Sequence, residues 1–305
     1  MSTGFLAEGN IRGIFLSIVV QGMMLIGLTC LIIGGEIDLS VGAQATVSAM
    51  LFAELCQSAP QLPWGVNVAI CMALGVGIGL IYSFLVNVLK FMSFIATIGT
   101  SAVLSGLAMV WTNANIISIR QASFNAMGKI AFFGRLPLLF LFMMAILIVF
   151  AYIMSNTPYG RSIYMLGGNR TAARLAGLNP DHIRIKLFVQ NSVLACVAGI
   201  FWASQMKLAS PSAIVAALPD LSAITAAILG GVAFMGGKGN LAGAFAGMLL
   251  LNVFENMLNV LRVQPYWNIF AQGALLIAAL VFDHISAEQH KRTLLKESML
   301  DRLLT

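Results

Sequence analysis

Charge is what this sequence has least of. Asp, Glu, Lys and Arg make up 9% of the 305 residues against 59% hydrophobic, and the mean hydropathy is +0.92. A water-soluble domain carries about 25% charged residues, so this surface is not built to face water. Ten-residue segments of strand-like alternation are also missing, which excludes a transmembrane β-barrel. Cys30, Cys56, Cys71 and Cys196 lie in or at the ends of apolar runs without CxxC or metal-ligand spacing. They read as small packing residues. His182, His284 and His290 fall in loops or the tail, so the convergent His, Asp or Ser groups of a membrane enzyme are not in view. The stretch GGVAFMGGKGN invites a phosphate-loop reading and fails it. Gly239 follows Lys238 where a Walker A needs Ser or Thr, and the flanks read as membrane. No bound ATP, cofactor or metal is expected on this chain. No basic stretch precedes Ile14, so a cleavable signal peptide is not expected either. The net charge of +6 is carried in loops beside apolar runs, where span orientation explains it and nucleic-acid binding does not.

What the chain has is apolar runs of bilayer length, which must close their backbone hydrogen bonds internally. The runs are Ile14–Gly35, Leu39–Cys56, Trp64–Leu89, Ser93–Thr112, Pro137–Met154, Leu187–Met206, Leu221–Met235, Leu241–Leu261 and Asn268–Phe282. They define an all-α polytopic membrane protein of about nine segments, with the short run at Leu221 partly re-entrant. Residues 1–305 form one transmembrane unit, and all eight prolines fall at or between the runs. Gly75, Gly77 and Gly79, and the pair Gly243 and Gly247, offer flat faces for close helix contact.

The longest polar interval, Tyr159–Lys186 within residues 155–186, holds five of the seventeen Lys and Arg: Arg161, Arg170, Arg174, Arg184 and Lys186. With the charged tail 283–305 it forms the strongest basic cluster, so both are expected in the cytoplasm. Counting back places Lys90 inside, Glu36–Asp38 near the inner face, and the Gln57–Pro63 loop and the N-terminus outside. Arg120, Lys129 and Arg135 then fall outside, against the rule, and an external half-helix there is one way out. Within the polar interval Thr171 is placed to cap a short helix over Ala172–Leu175, Gly177 to end it, and Pro180 to prevent its continuation. Arg170 and Arg174 on such a helix suit docking into a groove on a partner, although a basic loop serving only topology would look similar.

Other polar groups carry less. In GGEIDLSVG, glycines permit a sharp turn and Asp38 or Ser40 is placed to cap the following helix; a gating role for Asp38 and Ser40 is the alternative. Glu36 has the weaker claim. Asn252, Glu255, Asn256 and Asn259 share one helical face and serve either as polar glue or as a wet path. Gln21, Asn87, Gln190, Asn191 and Gln205 are isolated amides read as packing glue. An ion-coupled carrier acting alone would need a mid-membrane ionisable group, and Glu255 is the candidate.

GGNRTAARLAGLNPDHIRIK resembles the coupling loop of sugar-type ABC importer permeases, the ribose, xylose and galactose group within the branched-chain amino acid and monosaccharide permease superfamily. GGEIDLSVGA, SFIATIGTSAVLSGLAM, LSAITAAILGGVAFMGGKGNLAGAFAG and FENMLNVLRVQPYWNIFAQGALLIAAL resemble four further stretches of that family, in order, from about Phe5 to Asp283. Glu36, Ser105, Ser222 and Met257 depart from its usual residues. The family usually carries a further span ahead of the Phe5 equivalent, ten in all, so a short or truncated start is expected here. The resemblance implies a non-catalytic permease in a bacterial cytoplasmic membrane, importing a monosaccharide or similar polyol. A cytoplasmic ABC ATPase subunit would grip the loop at Gly167, Gly168, Asn169, Arg170, Ala173, Arg174, Gly177 and Asn179. An extracytoplasmic sugar-binding protein would deliver cargo, and a second permease chain would complete the path.

Overall fold

The structure, a computed structural model, describes residues 8–119, 124, 130–132, 136–216, 219–264, 266–282, 285 and 288. Arg120, Lys129 and Arg135, and the tail cations Lys291, Arg292, Lys296 and Arg302, lie outside the described residues.

Each of the nine apolar runs becomes a helix. The chain runs α1 Glu8–Ile33, α2 Val41–Ser58, α3 Trp64–Ser83 with a π-helical turn Phe84–Val88, α4 Ser93–Thr112 and α5 Leu138–Asn156. It continues through α6 Pro158–Gly168, α7 Arg170–Leu175, α8 Pro180–Met206, α9 Ala213–Ala216, α10 Pro219–Leu229 and α11 Leu241–Val260. The last, α12, is Tyr266–Phe282. Among the described residues six helices (α1, α3, α4, α5, α8 and α11) are long and apolar enough to cross a membrane. α2 reaches 18 residues and α10 only 11. Two run boundaries are corrected. The run expected at Leu187 is helical from Pro180, because Asn179 caps it and Pro180 occupies the first helical position, where its missing N–H costs nothing. The run expected to end at Met235 stops as a helix at Leu229, because Gly230 and Gly231 begin a turn.

Burial sorts these helices into a centre and a shell. The most apolar window of α1 is 83% buried and that of α8 is 67%, against 22% for α4 and α5. The shell presents Val103, Val110, Ile148 and Tyr152 outward, as a lipid-facing surface should. Lipid supplies no hydrophobic force between helices, so close backbone approach has to hold them. A Cβ on Gly75 or Gly79 of α3 would stand 2.9 or 2.5 Å from the backbone of Val193 or Val189 in α8. Gly243 and Gly247 of α11 bring α10 equally near, with the carbonyls of Gly230 and Ala226 2.2 Å from where their Cβ atoms would be. Gly77 corrects the expectation of a three-glycine face, since nothing lies within 4 Å of its Cβ position. Spacing of four keeps Gly75 and Gly79 on one face and turns Gly77 away.

The two ends of the bundle separate as the charge pattern requires. β1 Ile117–Ser118, beyond α4, pairs antiparallel with β4 Leu208–Ala209, beyond α8. Gln57 Nε2, in the last turn of α2, donates to the Ser118 carbonyl at 3.0 Å. A second two-residue pair, β2 Ala131–Phe132 with β3 Leu136–Pro137, leads into α5. At the opposite end Glu36, Lys90, Arg170 and Arg184 line one cleft. The segments expected inside therefore gather at one end, away from the Gln57 loop.

Gly79→Val should drive a side chain into α8 and lower thermal stability in detergent by about 1–3 kcal/mol. Gly77→Val should leave it within about 0.5 kcal/mol. Equal effects from the two would refute the packing role given to Gly79.

Candidate functional site

The polar interval folds into a helical elbow. Thr157 accepts from Gly160 N and opens α6 with Pro158 at its first position. Asn169 alone separates α6 from α7, and its Oδ1 accepts from Thr171 N and Ala172 N at 3.0 Å each. The cap of the short helix is therefore Asn169 and not Thr171, because the helix starts two residues earlier, at Arg170. Gly177 ends it as expected. With φ at +82°, its N–H bonds the Arg174 carbonyl and Leu178 N bonds the Ala173 carbonyl, which is a Schellman closure. Asn179 then accepts from Asp181 N and His182 N and starts α8. α7 turns Ala173 into the protein, 1% exposed, and leaves Arg174 and Leu175 outside, Leu175 at 84%.

This elbow is fastened to the centre of the bundle. Glu36, 3% exposed, has Oε1 2.6 Å from Arg170 Nη2 and 2.7 Å from Arg184 Nε. The Arg184 contact is ionic rather than a directed hydrogen bond, since Nε has no bond of acceptable geometry. Arg184 Nη1 also reaches Asn87 Oδ1 at 3.3 Å, and Asn87 Nδ2 donates to the Asp181 carbonyl at 3.0 Å. Two backbone contacts join the same place. The ideal Cβ of Gly167 would fall 1.9 Å from the Ile33 carbonyl. Gly237, at φ +75°, donates its N–H to that same carbonyl at 2.8 Å. Tyr164 Oη donates to the Gly239 carbonyl at 2.8 Å, and burial pushes this phenol's pKa up, so it stays a neutral donor. The end of α1, the α10–α11 turn and the helical elbow thus share one junction.

Between Ile33 and Val41 the chain leaves helical geometry while remaining buried. Ile37 N donates to Ser93 Oγ at 3.3 Å and Leu39 N to Thr97 Oγ1 at 3.1 Å, both on α4. Asp38, fully buried, accepts from Ser40 N at 2.8 Å, Gln44 Nε2 at 2.8 Å and Asn191 Nδ2 at 2.7 Å, and from Ser40 Oγ. Ser40 Oγ also meets Tyr82 Oη at 2.6 Å. Neither Asp38 nor Ser40 caps α2 with its side chain, against the capping expectation. Its free Gly42 N–H is taken from across the fold by Asp220 Oδ1 at 2.7 Å. Asp220 lies in the first turn of α10, so one carboxylate serves two helix N-termini.

The polar stripe on α11 divides between two neighbours. Asn252 accepts from Ser17 Oγ at 2.9 Å and donates to Gln21 Oε1 at 2.6 Å, and Asn256 pairs twice with Asn10, at 2.8 and 2.9 Å. These tie α11 to α1. Glu255 accepts from Gln272 at 2.8 Å and Asn259 from Asn268 at 3.3 Å, toward α12. Gln21, Asn87, Gln190 and Gln205, read as packing glue, bond across helices, Gln190 accepting from Tyr159 Oη at 3.1 Å, whereas Asn191 goes to Asp38 in the break.

Among the docking candidates Gly168, Asn169, Arg170, Arg174, Gly177 and Asn179 are exposed, Gly167 is half-buried and Ala173 is buried. Sequence reasoning undervalued Glu36 and missed Tyr82, Gln44, Asp220 and Leu175. Asp220 had a local signal, an acidic residue directly after a helix-opening proline. Tyr82 and Gln44 had none, because only the fold brings α2 and α3 to Asp38.

The sequence profile of the family described as branched-chain amino acid transport system / permease component matches residues 10–280. The chain is 33% identical to the L-arabinose transport system permease protein AraH of Escherichia coli (strain K12), over 93% of this chain and 85% of that protein. It is 31% identical to the ribose import permease protein RbsC of Haemophilus influenzae, over 92% and 86% respectively. The autoinducer 2 import system permease protein LsrC of Salmonella typhimurium is 29% identical over 93% and 80%. No solved structure matches the chain.

Glu36→Gln leaves the buried Arg184 only the half-exposed Asp181 carboxylate, 3.7 Å away, and should lower stability by up to about 3–5 kcal/mol. Arg170→Gln, with its side chain 50% exposed, should cost under about 1 kcal/mol. Thermal unfolding in detergent measures both, and a Glu36→Gln, Arg184→Met double variant should recover most of the loss. Equal, small effects would contradict the junction described.

Proposed function

The chain belongs to the branched-chain amino acid transport system / permease component family, and from that membership we propose that it imports a monosaccharide or similar neutral polyol as the membrane subunit of an ATP-binding-cassette importer. The setting is a bacterial cytoplasmic membrane. The observation that carries the coupling mechanism is α7, a short helix with Arg174 and Leu175 presented outward and its first residue held to a buried carboxylate. A cytoplasmic ATPase subunit docks on this surface and supplies all the ATP hydrolysis. The permease itself is not catalytic.

The chemistry of the junction supports transmission inward. ATP binding changes the ATPase's affinity for two arrangements of α7, and the equilibrium shifts by that difference. Arg170 and Glu36 connect α7 to the α1–α2 break, and Gly167 connects α6 to the last carbonyl of α1. Displacing the elbow therefore displaces the break and the Asp38 knot beyond it. An extracytoplasmic binding protein delivers cargo at the opposite end, and a second permease chain completes the path. The cargo assignment draws on relatives named for L-arabinose and ribose, which are neutral pentoses.

Proteoliposomes holding this chain, a candidate tandem ATPase and a binding protein should take up labelled monosaccharide only with ATP and with all three components. Arg174→Glu should reduce uptake at least tenfold, because a like-charge contact in an interface costs several kcal/mol, while leaving thermal stability near wild type. Uptake driven by an ion gradient without the ATPase would overturn the reading.

A further inference from the structure

α8 begins at the coupling elbow and runs for 27 residues, about 40 Å, so its last turns lie at the far end of the bundle. There a cavity of about 410 Å³ opens between the first half of α1, the end of α8, the start of α9 and Pro219 of α10, within the size range of small-molecule sites. Its walls are largely apolar, from Leu16, Val20, Ile214 and Pro219, and Ser17, Gln21, Trp202 and Gln205 stand among them.

The two amides are each half used, and their orientation is fixed. Asn252 Nδ2 donates to the Met248 carbonyl at 3.0 Å as well as to Gln21 Oε1, so the oxygen of Gln21 must face Asn252. Gln205 Nε2 donates to the Leu16 carbonyl at 3.2 Å, which fixes its nitrogen. Gln21 Nε2 and Gln205 Oε1 are left without a protein partner among the described residues. The cavity thus offers one oriented donor, one oriented acceptor and an indole, and among the described residues no ionisable side chain lines it. A zwitterionic amino acid would find nothing there for its ammonium or carboxylate. A sugar matches it, since each hydroxyl both donates and accepts and a face of C–H groups stacks on an aromatic ring.

We infer that this cavity is a subsite for the transported monosaccharide, with Trp202 under its apolar face and Gln21 and Gln205 reading its hydroxyls. The inference rests on the importer reading and adds where in the chain the cargo is held. Two neutral hydrogen bonds and one stacked face make a weak site, which lets the sugar leave inward. Asn252 acts here as a positioning residue, holding Gln21 through its oxygen.

The test uses Ala213→Cys, on the cavity wall; the native cysteines are all buried. In the assembled complex a small polar thiol reagent should label Cys at 213 severalfold more slowly in the presence of a saturating sugar that the complex takes up. A sugar that is not taken up should give no protection. Adding Trp202→Leu should abolish the protection, and adding Trp202→Phe should keep most of it. Undiminished labelling during active uptake would overturn the subsite and leave the importer reading standing, as would protection indifferent to Trp202→Leu. A wild-type complex that takes up no sugar would overturn both.

Discussion

Inside a membrane protein every backbone N–H and C=O that leaves a helix has to find another partner, and between Ile33 and Val41 this chain leaves one while largely buried. The solution draws in most of the bundle. Ser93 and Thr97 reach from α4 to two of the freed N–H groups. Asp38 gathers donors from α2 and α8, and Tyr82 of α3 closes on Ser40. Asp220, at the start of α10, takes the first free N–H of α2 that it can reach. A buried carboxylate is expensive unless it is fully bonded, and Asp38 accepts four hydrogen bonds. The arrangement is therefore stable as a whole, and removing any one donor weakens it.

The break also explains how a surface helix comes to matter to the interior. Its inner margin carries Glu36, and Arg170 of α7 and Arg184 of α8 converge on that carboxylate. Individual interhelical hydrogen bonds in membranes average about 0.6 kcal/mol, so the amides spread along α1, α8 and α11 shape the packing without dominating it. The buried Glu36–Arg184 pair is different in kind. Once enclosed, either partner that loses the other keeps only a more exposed counter-charge, Arg170 for Glu36 and Asp181 for Arg184, and much of the desolvation penalty goes uncompensated.

Several close-range features were legible because they depend on neighbours in sequence. The Gly177 stop, the Pro180 boundary and the shared face of Asn252, Glu255, Asn256 and Asn259 follow from backbone geometry alone. Placing the cap at Thr171 went wrong by two residues because Asn169 is an equally good cap and the helix takes the earlier one. Gly77 looked like part of a glycine face, but side-chain direction separates it from Gly75 and Gly79.

The sequence by itself determined the all-α membrane class, the number of apolar helices, the basic elbow and its family, because hydropathy over a span and local capping are properties of contiguous residues. Only the tertiary structure decided what Glu36, Asp220, Tyr82, Gln21 and Gln205 do. Their partners lie far along the chain, and a carboxylate or amide becomes a latch, a cap or a ligand-facing group only through what the folded helices set against it. Composition counts such groups, whereas burial and orientation assign their roles.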